Sequence, residues 1–184
     1  MKRLTILIAF VLMTASIHAQ EKTANDKILI AYFSWSGNTR TVAGQIQKTA
    51  GGDLFEIKTT KAYPKVYREC TDVAKKEQQE NARPELSTKV GGMDDYNIIF
   101  VGYPNWWGTM PMPLFTFLES YDSSGKTIIP FCTHAGGRLG RSANDIKKLC
   151  PKATVREGLA ISGNVARSAQ KEVDAWLRKL EVSK

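Results

Sequence analysis

Histidine and cysteine are both scarce in this 184-residue chain, which has two of the first, His18 and His134, and three of the second, Cys70, Cys132 and Cys150. No cysteine pair stands in C-x-x-C spacing, which argues against a zinc site and against a disulfide-dense scaffold. One bridge stays open in an oxidising compartment, and the spacing selects no pair for it. Neither a GxxxxGK loop nor a GxGxxG turn occurs, so the nucleoside-triphosphate and dinucleotide fingerprints are both missing. Internal repeats and low-complexity segments are absent too. Basic residues outnumber acidic ones 26 to 18, a net charge of +8. They are scattered, without the aromatic interleaving or recognition-helix spacing of a nucleic-acid binder. An apolar run from Leu4 to Met13 is too short for a comfortable membrane span.

That run is instead part of an address. Lys2 and Arg3 precede it, and small and polar residues lead on to Ile17-His18-Ala19, the three-part pattern of a secretory signal peptide cut after Ala19. The expected organisation is a signal peptide over residues 1–19 and one domain over residues 20–184, exported to the periplasm or secreted. Retention of the leader as an uncleaved anchor is the competing expectation. Cleavage leaves 24 basic against 18 acidic residues, a net charge of +6, which favours anionic partners.

Past Ala19, strand and helix patterns alternate. Ile28 to Phe33 reads as a strand covered on both faces, and Val42, Ala43 and Ile46 begin a helical stripe that Gly51-Gly52 stop. Asp53 to Thr59 alternates as a short strand. A polar helix is expected over Val66 to Asn81, with Arg83-Pro84 ending it. Tyr96 to Gly102 is a second buried strand, and Pro113 suits the first position of a helix carrying Leu114, Phe117, Leu118 and Tyr121 on one face. Lys126 to Thr133 reads as a strand despite Pro130, which has to sit where no ladder donor is needed. Ser142 with Asp145 resembles a capping signal, Val155 to Ser162 forms the last strand, and Ala169, Val173, Trp176, Leu177 and Leu180 mark a closing helix. Five strands alternating with helices predict an α/β fold, a parallel sheet between helix layers joined by right-handed crossovers.

Three loops of unusual composition, at 34–39, 103–110 and 133–140, follow strands one, three and four. In an open α/β sheet that carboxyl edge is where ligands bind. The hydroxyl-rich first loop brings unpaired N–H groups to a helix N-terminus, a setting that stabilises a phosphate dianion; an ordinary capped turn is the plainer reading.

The segments AYFSWSGNTRTVA, VGYPNWWGTMPMP and PFCTHAGGRLGRSANDIKKLCP together resemble the flavodoxin family, in particular its bacterial flavodoxin-like branch. The likeness covers nearly all of residues 27 to 182. It implies a flavodoxin-like three-layer sandwich, a five-stranded parallel sheet in the order 2-1-3-4-5, with FMN held non-covalently. By that resemblance Ser34, Trp35, Ser36, Gly37, Asn38 and Thr39 form the phosphate loop. Pro104, Asn105, Trp106, Trp107 and Gly108 border the flavin ring, and Thr133, His134, Ala135, Gly136, Gly137 and Gly140 close its other side. Trp107 or Trp106 is the expected stacking face. Gly108 is placed to let a peptide turn over and offer its neighbour's carbonyl to the reduced ring.

Electron-carrying flavodoxins are typically acidic, whereas this chain is basic and its THAGGRLG loop carries His134 and Arg138 with no acid. A nearby cation favours an anionic reduced flavin and two-electron chemistry. The expected function is therefore FMN-linked electron transfer with an unidentified redox partner protein or small-molecule acceptor, and an FMN-dependent NAD(P)H:quinone-type reductase is the rival. Arg40 either pairs with the phosphate or decorates the helix, and His134 is either a proton donor or a wall of the pocket. Two remoter readings complete the set. One is a binding domain without cofactor. The other is a phosphatase built on the C-x5-R spacing of Cys132 and Arg138, in which a thiolate attacks phosphorus. The pair-arginine motif of folded export is missing, so flavin loading is expected outside the cytoplasm.

Overall fold

The computed structural model describes residues 27–182; the expected leader lies outside them. Strand β1 (Ile28–Tyr32) runs through the middle of the sheet, parallel to β2 (Asp53–Glu56) on one side and β3 (Ile98–Pro104) on the other. Next come β4 (Thr127–His134) and a fifth position shared by β5 (Thr154–Val155) and β6 (Leu159–Ser162), both parallel to β4. The order is β2-β1-β3-β4-β5, as the flavodoxin resemblance implies.

Both faces of the sheet are covered, which explains its unbroken apolar strands. Ile30, Phe100, Ile129 and Phe131 point to one side, where α1 (Asn38–Ala50) and α5 (Gln170–Lys179) bring Val42, Ile46, Val173, Trp176 and Leu177. Leu29, Ala31, Ile99, Val101 and Cys132 point to the other, against Leu114 and Phe117 of α3 (Met112–Glu119) and Ile146 of α4 (Ser142–Leu149). The remaining helix, α2 (Tyr67–Gln79), buries only Cys70 and Ala74. It therefore lies across the surface, close to the carboxyl rim.

The fifth strand is broken where Pro130 requires it. Ile128 pairs with Val155 and Phe131 with Leu159, so three residues of the outer strand face two of β4. This is a bulge. Ile128 O accepts from Arg156 N at 3.0 Å, so by strand parity Pro130 turns its donor-less nitrogen to the same side. Gly158 fits there because a Cβ would stand 2.8 Å from both the Pro130 ring and its carbonyl.

Two local expectations are corrected. Ser142 lies inside α4 rather than capping it, donating its hydroxyl to Leu139 O at 2.6 Å, with Arg141 at the N-cap. Pro113 occupies the second position of α3, after Met112. Lys126 is only 8% exposed, and its ammonium donates to the carbonyls of Met93, Asp94 and Tyr96 at 3.1, 3.3 and 2.8 Å. It ties the loop before β3 to the start of β4. Cys70, Cys132 and Cys150 are all buried and free, so none of them pairs.

Candidate functional site at the carboxyl rim

β1 and β3 leave the sheet centre side by side, and their connections run to opposite sides of it. That divergence opens the rim between them. The first loop begins where Phe33 N donates to Gly102 O at 2.9 Å. Gly37 then adopts φ +89°, and no atom lies within 4 Å of the position its Cβ would take. Among the described residues the N–H groups of Ser36, Gly37, Asn38 and Thr39 find no acceptor, while Arg40 N donates to Ser34 Oγ at 3.3 Å. These donors sit at the positive end of a 13-residue helix over open space, which suits a dianion. Thr39 contributes only its amide. Its hydroxyl is buried against Thr133 Oγ1 at 2.9 Å, joining the first loop to the end of β4. Arg40 turns to the Glu56 carboxylate at the end of β2, which accounts for its charge.

The second loop is a tight reversal. Trp106 and Thr109 exchange backbone hydrogen bonds at 2.8 and 3.2 Å, with Trp107 at φ +52° and Gly108 at φ +82° between them. Two positive φ values define a type I′ turn, which ordinarily holds Asn-Gly. Trp107 is strained there, by about 1–2 kcal/mol for an L residue. Its ring is nevertheless 47% exposed. The indole N–H donates to Thr71 O at 3.0 Å, and Lys75 Nζ lies 5.1 Å from the ring centroid. Trp106 instead turns inward, edge-on to Phe33 and Tyr63 with centroids 5.6 and 5.2 Å away.

Asn105 clamps the second loop to the third. Its amide donates to Gly137 O at 3.2 Å and Arg138 O at 2.6 Å, and its carbonyl accepts from Gly108 N at 3.1 Å. Gly140 allows the contact, since a Cβ there would stand 2.1 Å from Gly108 O. That oxygen also accepts from Arg141 N at 2.9 Å. His134 Nδ1 accepts from Gly136 N at 2.9 Å, so the imidazole proton sits on Nε2. Ala135, Gly136 and Gly137 are exposed, and Pro104 ends β3 beside Thr133.

Cys132 lies behind this loop, fully buried, donating to Arg138 O at 3.1 Å. Burial pushes its thiol up to about 12. A neutral, enclosed thiol bonded to the carbonyl of Arg138 is no phosphatase nucleophile.

The rim thus gathers all three predicted loops. Its ring-sized opening, about 340 Å³, lies between Trp106 and Trp107 on one side and Tyr67, Thr71 and Ala74 of α2 on the other, with Asn105 at its edge. Tyr67 is 72% exposed, its ring 6.2 Å from that of Trp35. The α2 residues escape sequence reasoning. An exposed aromatic at the start of an otherwise polar helix was their one available signal. Gly163, after β6, also reaches the first loop, where a Cβ would stand 2.9 Å from Asn38 Nδ2.

Fold and rim define an open-sheet α/β protein whose candidate ligand cleft lies at the switch in strand order, with a set of free N–H groups and an aromatic slot on the same rim. The chain belongs to the flavodoxin family, whose sequence model, described as flavodoxin, matches residues 27–180. A candidate flavoprotein of Bacteroides eggerthii is 32% identical, over 85% of this chain and 99% of its own, with a TM-score of 0.73. A second, from Bacteroides uniformis, is 28% identical over 84% and 99%, also at 0.73. A flavoprotein of Lactobacillus acidophilus, solved in complex with FMN, is 24% identical over 82% and 98%, at 0.64. At that identity the likeness speaks to the fold. No curated protein matches the chain.

Proposed function

We propose that this chain binds FMN non-covalently at the rim and transfers electrons through it in an exported compartment. The reading rests on two features of one rim: four N–H groups at the start of α1 without an acceptor among the described residues, and a slot flanked by Tyr67 and Trp107, with the first loop's Trp35 ring 6.2 Å from that of Tyr67. FMN needs both, a dianion site and a flat apolar slot. Bound FMN supplies a ring that takes up and releases one or two electrons.

The protein's own groups divide the work. The amides of Ser36 to Thr39 hold the phosphate, with Ser34 and Ser36 hydroxyls beside them, and Tyr67, Trp106 and Trp107 exclude water from the ring. The Trp107–Gly108 peptide is held at both ends, its N–H on Asn105 Oδ1 and its carbonyl accepting from Gln78 Nε2 at 3.4 Å. Because the peptide unit is planar, turning it over breaks both bonds together.

One observation favours the reductase reading over a one-electron shuttle. Arg138 and Arg141 border the rim; Asp145 is already held by Arg141 Nε at 3.2 Å and by the Thr109 hydroxyl, and Arg138 forms no ion pair among the described residues. Uncompensated positive charge at Arg138 favours an anionic reduced ring, and the His134 Nε2–H supplies a proton donor. FMN titration followed by potentiometry tests the proposal. Saturable quenching of FMN fluorescence at one FMN per chain is expected, with the two electrons added at nearly the same potential. Lack of quenching refutes FMN binding, and two well-separated potentials refute the reductase reading.

A further inference from the structure

A second cavity, about 400 Å³, lies next to the rim slot, between residues 59–64, α2 and residues 82–85. Its volume falls among those of small-molecule sites, about 300–1,000 Å³. Tyr63, Pro64, Val73 and Pro84 make its apolar wall, and Glu77 places a half-buried carboxyl against that wall. Glu77 Oε2 accepts the Tyr63 hydroxyl, whereas Oε1 accepts from nothing among the described residues. Burial pushes the Glu77 carboxyl up, and the nearby Lys61 ammonium draws it back.

Two other polar side chains of the wall are engaged. Arg83 donates to both Glu119 oxygens, at 2.5 and 2.7 Å, and the Thr60 hydroxyl donates to Glu85 at 3.2 Å. Of the two carboxylate oxygens on this wall left without a donor among the described residues, Glu77 Oε1 and Glu85 Oε1, only that of Glu77 belongs to a half-buried side chain. The Lys61 ammonium lines the same cavity and repels a second cation, so a neutral donor fits better than a cation.

We propose that this cavity binds a neutral phenolic aromatic molecule, its ring against Tyr63 and Pro64 and its hydroxyl donating to Glu77 Oε1. The opposite face of the Tyr63 environment is Trp106, 5.2 Å away between centroids, which lines the rim slot. Phenol binding here does not depend on the FMN reading.

The test is calorimetric titration of 2-naphthol into the protein, with and without saturating FMN. One site is expected in both conditions, with affinity at least tenfold lower for 2-methoxynaphthalene, which has no hydroxyl to donate. Glu77→Gln lowers 2-naphthol affinity about tenfold. Val73→Trp, a change at a partly exposed helix position, abolishes binding by filling the cavity. Absence of 2-naphthol binding, equal affinity for the methoxy analogue, or displacement by FMN overturns the proposal. Binding of 2-naphthol to protein that fails to bind FMN supports this site independently of the rim.

Discussion

Trp107 is the residue whose removal separates folding from binding. In Trp107→Gly the turn keeps its type I′ geometry, because glycine adopts φ +52° without strain. Relief of the left-handed backbone is worth about 1–2 kcal/mol. Against it stand the indole bond to Thr71 O, about 0.5–1.5 kcal/mol, and the Lys75 contact, about 0.5–1 kcal/mol at an exposed site. Added backbone freedom in the unfolded chain costs about 0.4–1 kcal/mol more. The balance is a loss of at most about 2.5 kcal/mol, a fall in melting temperature of about 10 °C at most for a domain of this size. FMN affinity behaves differently. Losing one face of the ring slot costs about 2 kcal/mol, or about 30-fold in Kd. Thermal melts without FMN and fluorescence titrations with it measure the two effects separately. An unchanged Kd in a folded Trp107→Gly protein refutes the argument that the strain at this position serves the ligand.

Other parts of the structure carry independent predictions. Lys126→Met strands the carbonyls of Met93, Asp94 and Tyr96, and urea unfolding is expected to show a loss of about 2–3 kcal/mol. Gly140→Ala drives a Cβ against Gly108 O, so amide exchange at Arg141 accelerates and FMN binding weakens while the core melts cooperatively. Cys70 and Cys132 are pushed up to about 11 and about 12 by burial, from an ordinary 9. Their contribution to stability is complete below pH 9. It is lost as pH rises toward 12, by about 1.4 kcal/mol per pH unit for each thiol, because only the unfolded thiols ionise. Alkaline denaturation curves check this, and the three thiols react with a disulfide reagent only after unfolding. Amino-terminal sequencing of exported protein is expected to begin at Gln20; an intact Met1 shows that the leader is retained as an anchor.

Where residues form a strong local pattern, sequence and structure agree. The run from Ile28 to Phe33 and the stripe through Val42, Ala43 and Ile46 carry the central strand and first helix almost unaided, because each periodicity matches one way of burying its residues. The three rim loops were legible from composition. The break in the fifth strand was not, since it depends on Pro130 and Gly158 meeting across two strands, a contact with no local signature. Tyr67 was missed for a related reason: α2 hides little apolar surface, so its placement over the rim is decided by tertiary contacts. Thr39 shows that residue type does not say which of its groups is left to a ligand. Its residue type suits a phosphate ligand, but its hydroxyl is spent on Thr133. The C-x5-R spacing was real as a pattern and empty as chemistry, because Cys132 is enclosed.

Amide chemical shifts measured with and without one equivalent of FMN test the central claim most directly. The account predicts that the largest changes fall on Ser36 to Thr39, Tyr67 to Ala74, Asn105 to Gly108 and His134 to Gly137. Changes confined to residues 59–64 and 82–85, or none at all, contradict it.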